Sequence, residues 1–556
     1  MANVSERDSL AERLEGLAPA IEEIRNISGT AGVSIGVLHQ QEVVTTAGFG
    51  YRDIQAREEP NEDTLYYIAA LTQSITASGI ALLVEDGKLH WDSAISNLVP
   101  NFQHQSPLIH HNTTIGDILS HRTGLERKVS LWMGEHSLPQ VTRNKFTKTA
   151  AYLEPVHQLG SEFLENNWTY GLTAQIIKQQ SGQDFSEFVE QNIFKPLNME
   201  RTGLAGSRPF PLDVDNFAEA YMCNGDTPYR LHKPPVETSP EHEATVGIKS
   251  SVNDLIKYYI ALLNAAKEEV SSSGRHEQSS PLKQARELFR PHTPMERLLP
   301  SFGKTEYTLG WAQVILPSAL GALSGNAELV AKMPRIGEGL TNAPLVLYQS
   351  GSLGGYQSSA ILIPDTNSAI VVLSNTLANQ HAADWIAQAV LEALLDVPHP
   401  TNFVALAREA AAENAMLFSY MRQVMVAERV FGTTCRSLDT YVGIYDNAVK
   451  TFRLEVSSGE AGLRISFNSS RDWYKLKHYH YDTFSFEMNY LDFLKKEMRP
   501  VTYWRYFLLE FREGIEGADG TIGIIVWRPD RMVEKGEAFV KRTAAEGVAE
   551  ASRAVS

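Results

Sequence analysis

Residues 65–89 of this chain read LYYIAALTQSITASGIALLVEDGKL. The first residues of the stretch are aromatic and apolar, which is typical of a strand end. The apolar residues that follow recur at the spacing of a helix, at Leu71, Ile75, Leu82 and Leu83. Gly87 then supplies a stop signal. The stretch therefore predicts one buried helix that is entered directly from a short strand.

The segments on either side of this helix predict an α+β domain. Residues 7–27 have an apolar face and predict an amphipathic helix that Pro19 kinks or divides. β-rich runs lie before and after a long helical middle, and a helix closes the domain, at residues 33–38, 42–46, 345–375 and 379–396. Early strands, a helical middle and late strands form an α+β pattern.

A chain of 556 residues is too long for one ordinary domain. Pro398-His399-Pro400 marks a boundary, so we assign residues 1–397 to the first domain. Residues 398–436 are predicted to be a helical linker, with a helix at 403–430. Aromatic runs with a twofold pattern follow, and residues 437–545 predict a small antiparallel barrel or sandwich.

The composition indicates a soluble protein with a sizeable core, since 43% of its residues are hydrophobic. The net charge of −16 disfavours nucleic acid and anionic membrane surfaces as partners. The sequence shows no signal-peptide pattern and no apolar run of membrane-spanning length. Cys223 and Cys435 are far apart, which argues against a structural disulfide and suits a reducing compartment. We therefore expect a cytoplasmic protein that acts on a small molecule.

No pattern for a cofactor or a metal ion stands out in the sequence. A GxGxxG or Walker-type loop is absent, and Gly351–Gly355 is better explained as a turn. His110-His111 and His478-Tyr479-His480 have no companion cysteine or acidic ligand pattern. We therefore expect neither a cofactor nor a metal site.

Three further segments carry a family resemblance, namely SHRTGL at 120–125, ENNWTYG at 165–171 and YQSGSLGGY at 348–356. With the helix at 65–89, they resemble the serine β-lactamase, penicillin-binding protein and esterase superfamily, especially its class C β-lactamase-related members of the D-aminopeptidase, esterase and transesterase type. The resemblance covers roughly residues 25–396. It implies a β-lactamase/transpeptidase-like fold, with an antiparallel sheet flanked by helices and a helical subdomain. The end region, with YVGIY at 441–445, resembles the lipocalin-like barrel of some related members.

The resemblance breaks at the residues that perform the family's chemistry. The nucleophile and its base form a Ser-x-x-Lys motif there, and the matching residues here are Ala70-Leu71-Thr72-Gln73. Glu165 replaces the tyrosine of the second motif, and Gln349 replaces the cation of the third. Asn167 and Gly351 keep their places. The chain therefore resembles a divergent, fungal-type member that cannot form the family's acyl-enzyme.

A displaced nucleophile is hard to find in the sequence. Ala70 has no nucleophilic atom, and Gln73 cannot accept a proton near neutral pH. Two other Ser-x-x-Lys spacings, Ser280…Lys283 and Ser301…Lys304, are explained by chance. Ser350 could approach the pocket, but the sequence shows no base near it.

The remaining polar residues suggest a different chemistry. A carboxylate between amides in a partly apolar cleft could serve as a general acid or base. We predict the catalytic residues to be Glu165, Gln73, Gln349 and Asn167. We predict the substrate-binding residues to be Ala70, Trp168, Trp311, Ser350, Gly351 and Tyr356. A decayed pocket, in which Glu165 makes only a satisfied ion pair, would explain the same substitutions.

Three functions are consistent with these residues. The first is a non-hydrolytic isomerase or cyclase of secondary-metabolite biosynthesis, in which amides polarise a carbonyl and Glu165 transfers a proton. The second is a serine hydrolase or acyltransferase with an unrecognised nucleophile. The third is a catalytically silent binding protein. The retained hydrogen-bonding capacity of the substituted positions favours the first.

Overall fold

The computed structural model describes residues 4–204, 215–225, 227–236, 239–271, 279–295, 304–460, 462–468, 470, 472–514 and 521–543. The helices of this part of the chain are α1 (Val4–Glu15), α2 (Ala18–Ser28), α3 (Leu71–Glu85), α4 (Ile95–Leu98), α5 (Pro107–Asn112), α6 (Ile115–Leu119), α7 (Val129–Trp132), α8 (Arg143–Ala150), α9 (Asn167–Ser181), α10 (Phe185–Val189), α11 (Pro240–Val246), α12 (Val252–Ser271), α13 (Ala285–Leu288), α14 (Ala382–Leu394), α15 (Phe403–Ala427) and α16 (Tyr490–Lys495). None of them combines the length and the apolar character needed to cross a membrane.

The strands of the same residues are β1 (Gly32–His39), β2 (Glu42–Gly50), β3 (Tyr66–Tyr67), β4 (Tyr221–Asn224), β5 (Thr227–Arg230), β6 (Lys249–Ser250), β7 (Thr293–Pro294), β8 (Glu306–Tyr307), β9 (Ala312–Ile315), β10 (Leu345–Leu353), β11 (Tyr356–Ile363), β12 (Ser368–Ser374), β13 (Thr376–Leu377), β14 (Gly443–Asn447), β15 (Arg453–Gly459), β16 (Gly462–Phe467), β17 (Tyr474–His480), β18 (Thr483–Phe486), β19 (Leu508–Glu513), β20 (Ile522–Trp527) and β21 (Glu537–Lys541).

One antiparallel sheet forms the centre of the first domain. Eight of the described strands pair in the order β2-β1-β12-β11-β10-β9-β8-β7. β1 and β2 form the predicted hairpin, and β10, β11 and β12 are the predicted late strands. The first helical segment is divided into α1 and α2, with Pro19 in the first turn of α2 as predicted. The α+β prediction is confirmed.

Both faces of this sheet are covered by helices, as its side-chain pattern requires. On β12, Ile370 and Val372 belong to one hydrophobic core, whereas Val371 and Leu373 belong to the other. The core that contains Ile370 and Val372 is covered by α1, α2 and α14. α12 packs on the opposite face of the sheet. Strands buried on both faces are expected to be hydrophobic almost continuously.

α3 lies between the sheet and the helical subdomain. It packs against α9, α11 and α13, and it touches β10 and β11. Apart from Leu82 at its C-terminal end, the helix is buried from Leu71 to Leu83. The short strand β3 precedes it and pairs with β6. The predicted helix and its strand entry are therefore confirmed, and their position places Ala70 where the sheet meets the subdomain.

The second domain is a closed antiparallel barrel of eight described strands, β14 to β21. Its interior is filled by aromatic rings, and Tyr441 contacts both Phe484 and Phe511 with ring centroids 4.9 Å apart. α15, in the predicted linker, packs against α2 and α14. Cys223 and Cys435 are free thiols, in line with the sequence.

A buried ion pair joins the barrel to the first domain. Nζ of Lys128 lies 3.2 Å from carboxylate oxygens of both Glu126 and Glu537, and Glu537 belongs to β21. At most 7% of any of these three side chains is exposed. Burial raises the pKa of Glu126, and Lys128 opposes that shift. The contact brings the barrel next to the segment that follows SHRTGL.

Candidate active site

The candidate site lies at the N-terminal end of α3. Ala70 is partly exposed there, while the first turns of the helix behind it are buried. Ala69 has a φ of 49°, a left-handed conformation that is uncommon for residues other than glycine. Within the described residues, the backbone N–H of Ala70 donates no hydrogen bond. A free donor therefore lies at the start of α3.

The backbone of β10 lies directly against this free amide. A Cβ atom on Gly351 would come within 2.7 Å of the Ala70 nitrogen and 2.9 Å of the Ala69 Cβ. Only glycine permits so close an approach between β10 and the start of α3. The backbones of Gly351 and Ala70 are thus in direct contact at the candidate site.

Gln73, one turn along α3, is the centre of a buried hydrogen-bond network. Its Nε2 donates to Oδ1 of Asn167 at 3.2 Å, and its Oε1 lies 3.1 Å from Nε2 of His121. The hydroxyl of Tyr307 is 3.5 Å from the same oxygen. Tyr170 donates to the backbone carbonyl of Gln73 at 2.7 Å. Because Gln73 is only 1% exposed, these contacts hold its amide in one orientation.

His121 contributes to this network as a neutral imidazole. Its Nδ1 accepts a hydrogen bond from the backbone N–H of Asn166 at 3.1 Å, so its proton is on Nε2 and is donated to Gln73. Burial lowers the pKa of His121 to about 4; the charge of Glu165 acts against this shift and that of Arg127 adds to it. His121 therefore orients Gln73 near neutral pH without adding a charge.

Gln349 on β10 is connected to the same network through Tyr307. Its Nε2 donates to the Tyr307 hydroxyl at 3.0 Å and to the Gly310 carbonyl at 3.2 Å. Its Oε1 accepts from the N–H of Ser350 at 3.0 Å. Burial raises the pKa of Tyr307, so the phenol remains protonated. Among the described residues, the network consists of neutral groups.

Glu165 lies beside this network but is not hydrogen-bonded to it. Its Oε2 accepts from Nη2 of Arg127 at 2.7 Å, and 34% of the glutamate side chain is exposed. Arg499 of the barrel domain is exposed and is close enough to respond to both charges. Partial desolvation, followed by repulsion from Arg127, lowers the pKa of Arg499, while Glu165 opposes the shift. One carboxylate and two guanidinium groups, those of Glu165, Arg127 and Arg499, therefore lie near one another beside the network.

Three aromatic residues that we predicted to bind substrate are instead buried in the protein. Trp168 is 0% exposed and packs edge-on against Trp132, with ring centroids 5.3 Å apart. Trp311 is 1% exposed. Tyr356 is 0% exposed and donates from its hydroxyl to the Ala218 carbonyl at 2.8 Å. Because neighbouring side chains already cover these rings, they support the walls and offer no free surface to a ligand.

Ser350 lies next to Gly351 on β10. Its Oγ is buried and has no hydrogen-bond partner among the described residues. The imidazole of His381 donates from Nε2 to the Gly351 carbonyl at 3.1 Å, because its Nδ1 accepts from the N–H of Asp384. No described base therefore activates Ser350 in this structure.

The other Ser-x-x-Lys spacings do not change this description. The hydroxyl of Ser280 donates to the Ala261 carbonyl at 2.8 Å, and Lys283 donates to the Ser280 carbonyl and not to its hydroxyl. Ser301, from the second spacing, lies outside the described residues.

The sequence analysis did not identify three residues that shape this site. His121 belongs to the SHRTGL segment, which the resemblance indicated to be structural, and its imidazole binds Gln73 directly. Tyr307 bridges two of the predicted residues, and only its position four residues before Trp311 could have drawn attention to it. No sequence pattern indicated Arg127, because its pairing with Glu165 is a tertiary contact.

The fold, and the place of this site between the sheet and the helical subdomain, define a protein of the β-lactamase/transpeptidase class. The family model described as Beta-lactamase matches residues 17–394, and the chain belongs to this family. A model for a domain of unknown function, DUF3471, matches residues 429–531 in the barrel region. The family and the fold predicted from the motifs are confirmed.

Relatives are similar to part of this chain at low identity. The unguisins hydrolase ungD' of Aspergillus campestris is 23% identical over 378 residues, which cover 67% of this chain and 64% of that protein. Protein flp of Staphylococcus aureus is 22% identical over 62% of this chain and 59% of that protein. The chain thus spans less than two thirds of the length of either relative.

A solved structure matches nearly the whole chain in fold. The octameric penicillin-binding protein homologue from Pyrococcus abyssi has a TM-score of 0.53 and 20% identity, over 95% of this chain and 99% of that one. At this identity, the match shows a shared fold.

Proposed function

We propose that this chain is a non-hydrolytic small-molecule enzyme on a β-lactamase fold, an isomerase or cyclase of secondary-metabolite biosynthesis. The observation that carries the proposal is the free N–H of Ala70, on a residue whose methyl side chain cannot attack a substrate. A carbonyl oxygen that accepted from this N–H would be polarised, as in an oxyanion hole. Because no acyl-enzyme can form at Ala70, the polarised carbonyl is available for proton transfer instead.

Glu165 is the proposed proton carrier. Its carboxylate is partly exposed, and Arg127 holds it in place at 2.7 Å. In this role it removes a proton from a carbon next to the polarised carbonyl and returns it at another position. Gln73 and Gln349 support the site through their buried hydrogen bonds. Asn167 is the partly exposed member of the network, and a substrate can reach it.

The test uses a panel of cyclic and acyclic carbonyl compounds incubated with the protein in D2O and analysed by mass spectrometry. An isomerised product that has gained one deuterium supports the proposal, because the proton taken up by the partly exposed Glu165 carboxylate exchanges with D2O before the substrate is protonated again. The Glu165→Gln variant should give no such product. A product heavier than its substrate by one water molecule would show hydrolysis and would contradict the proposal.

A hydrolase or acyltransferase is the second candidate, because the Aspergillus relative is named a hydrolase and the Ser350 hydroxyl is unpaired within the described residues. This function requires a covalent intermediate on a residue other than Ala70. Labelling with a fluorophosphonate followed by peptide mapping tests it, and an adduct on Ser350 would support it. Stabilisation by a compound without any product would instead indicate a silent binding protein.

A further inference from the structure

A cluster of two histidines and one carboxylate lies where the barrel meets the first domain. His136 follows α7, His232 follows β5, and Glu497 follows α16 in the barrel domain. Nδ1 of His232 is 2.7 Å from Oε1 of Glu497, and Nδ1 of His136 is 3.3 Å from Oε2. The ligand-type atoms of the three residues all lie within 4.8 Å of one another.

We propose that His136, His232 and Glu497 bind a zinc ion that connects the barrel to the first domain. Two imidazole nitrogens and one carboxylate oxygen are a ligand set that zinc accepts, with a water molecule at the fourth position. Zinc–ligand distances of about 2.0–2.2 Å place tetrahedral ligands roughly 3.3–3.6 Å apart, so only small side-chain movements are needed. The imidazoles are 46% and 87% exposed, which lets an ion enter from solvent.

Backbone contacts already hold the ligand-bearing segments together. The N–H of His136 donates to the Lys496 carbonyl at 2.7 Å, and the hydroxyl of Ser137 donates to the Glu497 carbonyl at 3.4 Å. The N–H of His232 lies 3.3 Å from the Glu497 carboxylate. The first two contacts leave all three metal-binding groups free, so the segments that carry His136 and Glu497 are positioned before an ion arrives.

Nearby lysines do not compete for the carboxylate of Glu497. Lys496 pairs with Glu135 at 3.1 Å, and Lys233 pairs with Glu219 at 2.9 Å. The carboxylate is only 11% exposed and has the two imidazoles as its partners. A bound divalent cation would place its positive charge beside this carboxylate.

The proposed ion would also stabilise the side of the candidate site formed by the turn between β10 and β11. Ser137, next to His136, lies so close to the turn between β10 and β11 that a Cβ on Gly354 would be 2.2 Å from its hydroxyl. β10 carries Gln349 and Gly351. No metal-binding pattern is visible in the sequence, because the three ligands come from distant segments.

The experiment uses the full chain without a histidine tag, stripped of metal with EDTA. Equilibrium dialysis against Zn²⁺ should show one bound equivalent, and Co²⁺ should give the d–d absorption of a low-coordinate site. His232→Ala and Glu497→Gln should each weaken binding at least about tenfold. His399→Ala removes an exposed histidine outside the cluster and should leave binding unchanged.

Near-UV circular dichroism of each variant confirms that it is folded, and Zn²⁺ should raise the Tm of the wild type but not of Glu497→Gln. The proposal is overturned if the wild type binds no stoichiometric Zn²⁺, or if the folded His232→Ala and Glu497→Gln variants bind it as tightly as the wild type. In either case the three residues form only a hydrogen-bonded contact between the domains.

Discussion

Nε2 of His121 lies 3.1 Å from the side-chain oxygen of Gln73 and donates its proton to that oxygen. The Gln73 amide therefore points its oxygen to His121 and Tyr307 and its nitrogen to Asn167. The side chain one turn into α3 is thus an oriented, neutral amide. A buried amide of this kind can support the site but cannot activate a nucleophile.

The pH dependence of stability should reveal the buried state of His121. Burial lowers its pKa from 6.5 to about 4, so the unfolded state binds more protons between these values. Stability is therefore lost as the pH falls through this window, by about 2 kcal/mol for one such group between pH 7 and pH 5. In urea unfolding at both pH values, His121→Asn should lose less stability by about this amount. The same pH dependence in both proteins would contradict the assignment.

The Tyr307 hydroxyl should contribute to stability because it connects Gln73 to Gln349. Tyr307→Phe leaves buried amide groups short of a partner, and a loss of about 1–3 kcal/mol is expected in chemical denaturation. Tyr259→Phe is the matched control, because the Tyr259 hydroxyl is buried without a partner among the described residues. The control should be neutral or stabilising, and equal losses in the two variants would argue against the network.

Glu165→Gln should separate chemistry from stability. Glu165 and Arg127 are each about one third exposed, and an ion pair of that kind contributes at most about 1 kcal/mol. The variant should therefore unfold within about 1 kcal/mol of the wild type while losing turnover in the deuterium assay. Full turnover by the variant would remove Glu165 from the mechanism.

Docking of the barrel should depend on Glu537. Glu537→Gln removes one of the two carboxylate partners of the buried Lys128, and because Glu126 still pairs with the lysine, a loss of about 1.5–3 kcal/mol is expected. The expected result is a lower Tm and faster proteolysis between the domains. Glu328→Gln breaks an exposed pair with Arg531 across the same domains and should change stability by less than about 0.5 kcal/mol. Similar effects of the two substitutions would contradict a specific role for the buried pair.

Much of the fold could be predicted from local patterns. α3 was recognisable because its apolar residues recur at helical spacing and Gly87 ends it, and β10 to β12 because their apolar runs are separated by turn residues. Local alternation alone does not distinguish a barrel from a sandwich, since the two differ in strand tilt and stagger, but the resemblance to a lipocalin-like barrel predicted the closed form that the structure has.

The site was predictable only where motifs identify positions. Gln73, Asn167 and Gln349 were chosen from three motifs, and the structure connects them through Tyr307. The burial of Trp168 could not be predicted, because the position of an aromatic residue next to a motif does not show whether its ring faces the site or the protein core. Contacts between residues that are far apart in the sequence cannot be predicted from the local spacing of residues.

Intact-mass analysis after incubation with a fluorophosphonate probe tests the absence of an acyl nucleophile most directly. The wild type should remain unmodified, whereas the double variant Ala70→Ser with Gln73→Lys, which restores the family's reactive pair, should gain one adduct. A stoichiometric adduct on the wild-type chain would contradict the account, because it would show that a reactive hydroxyl already serves this site.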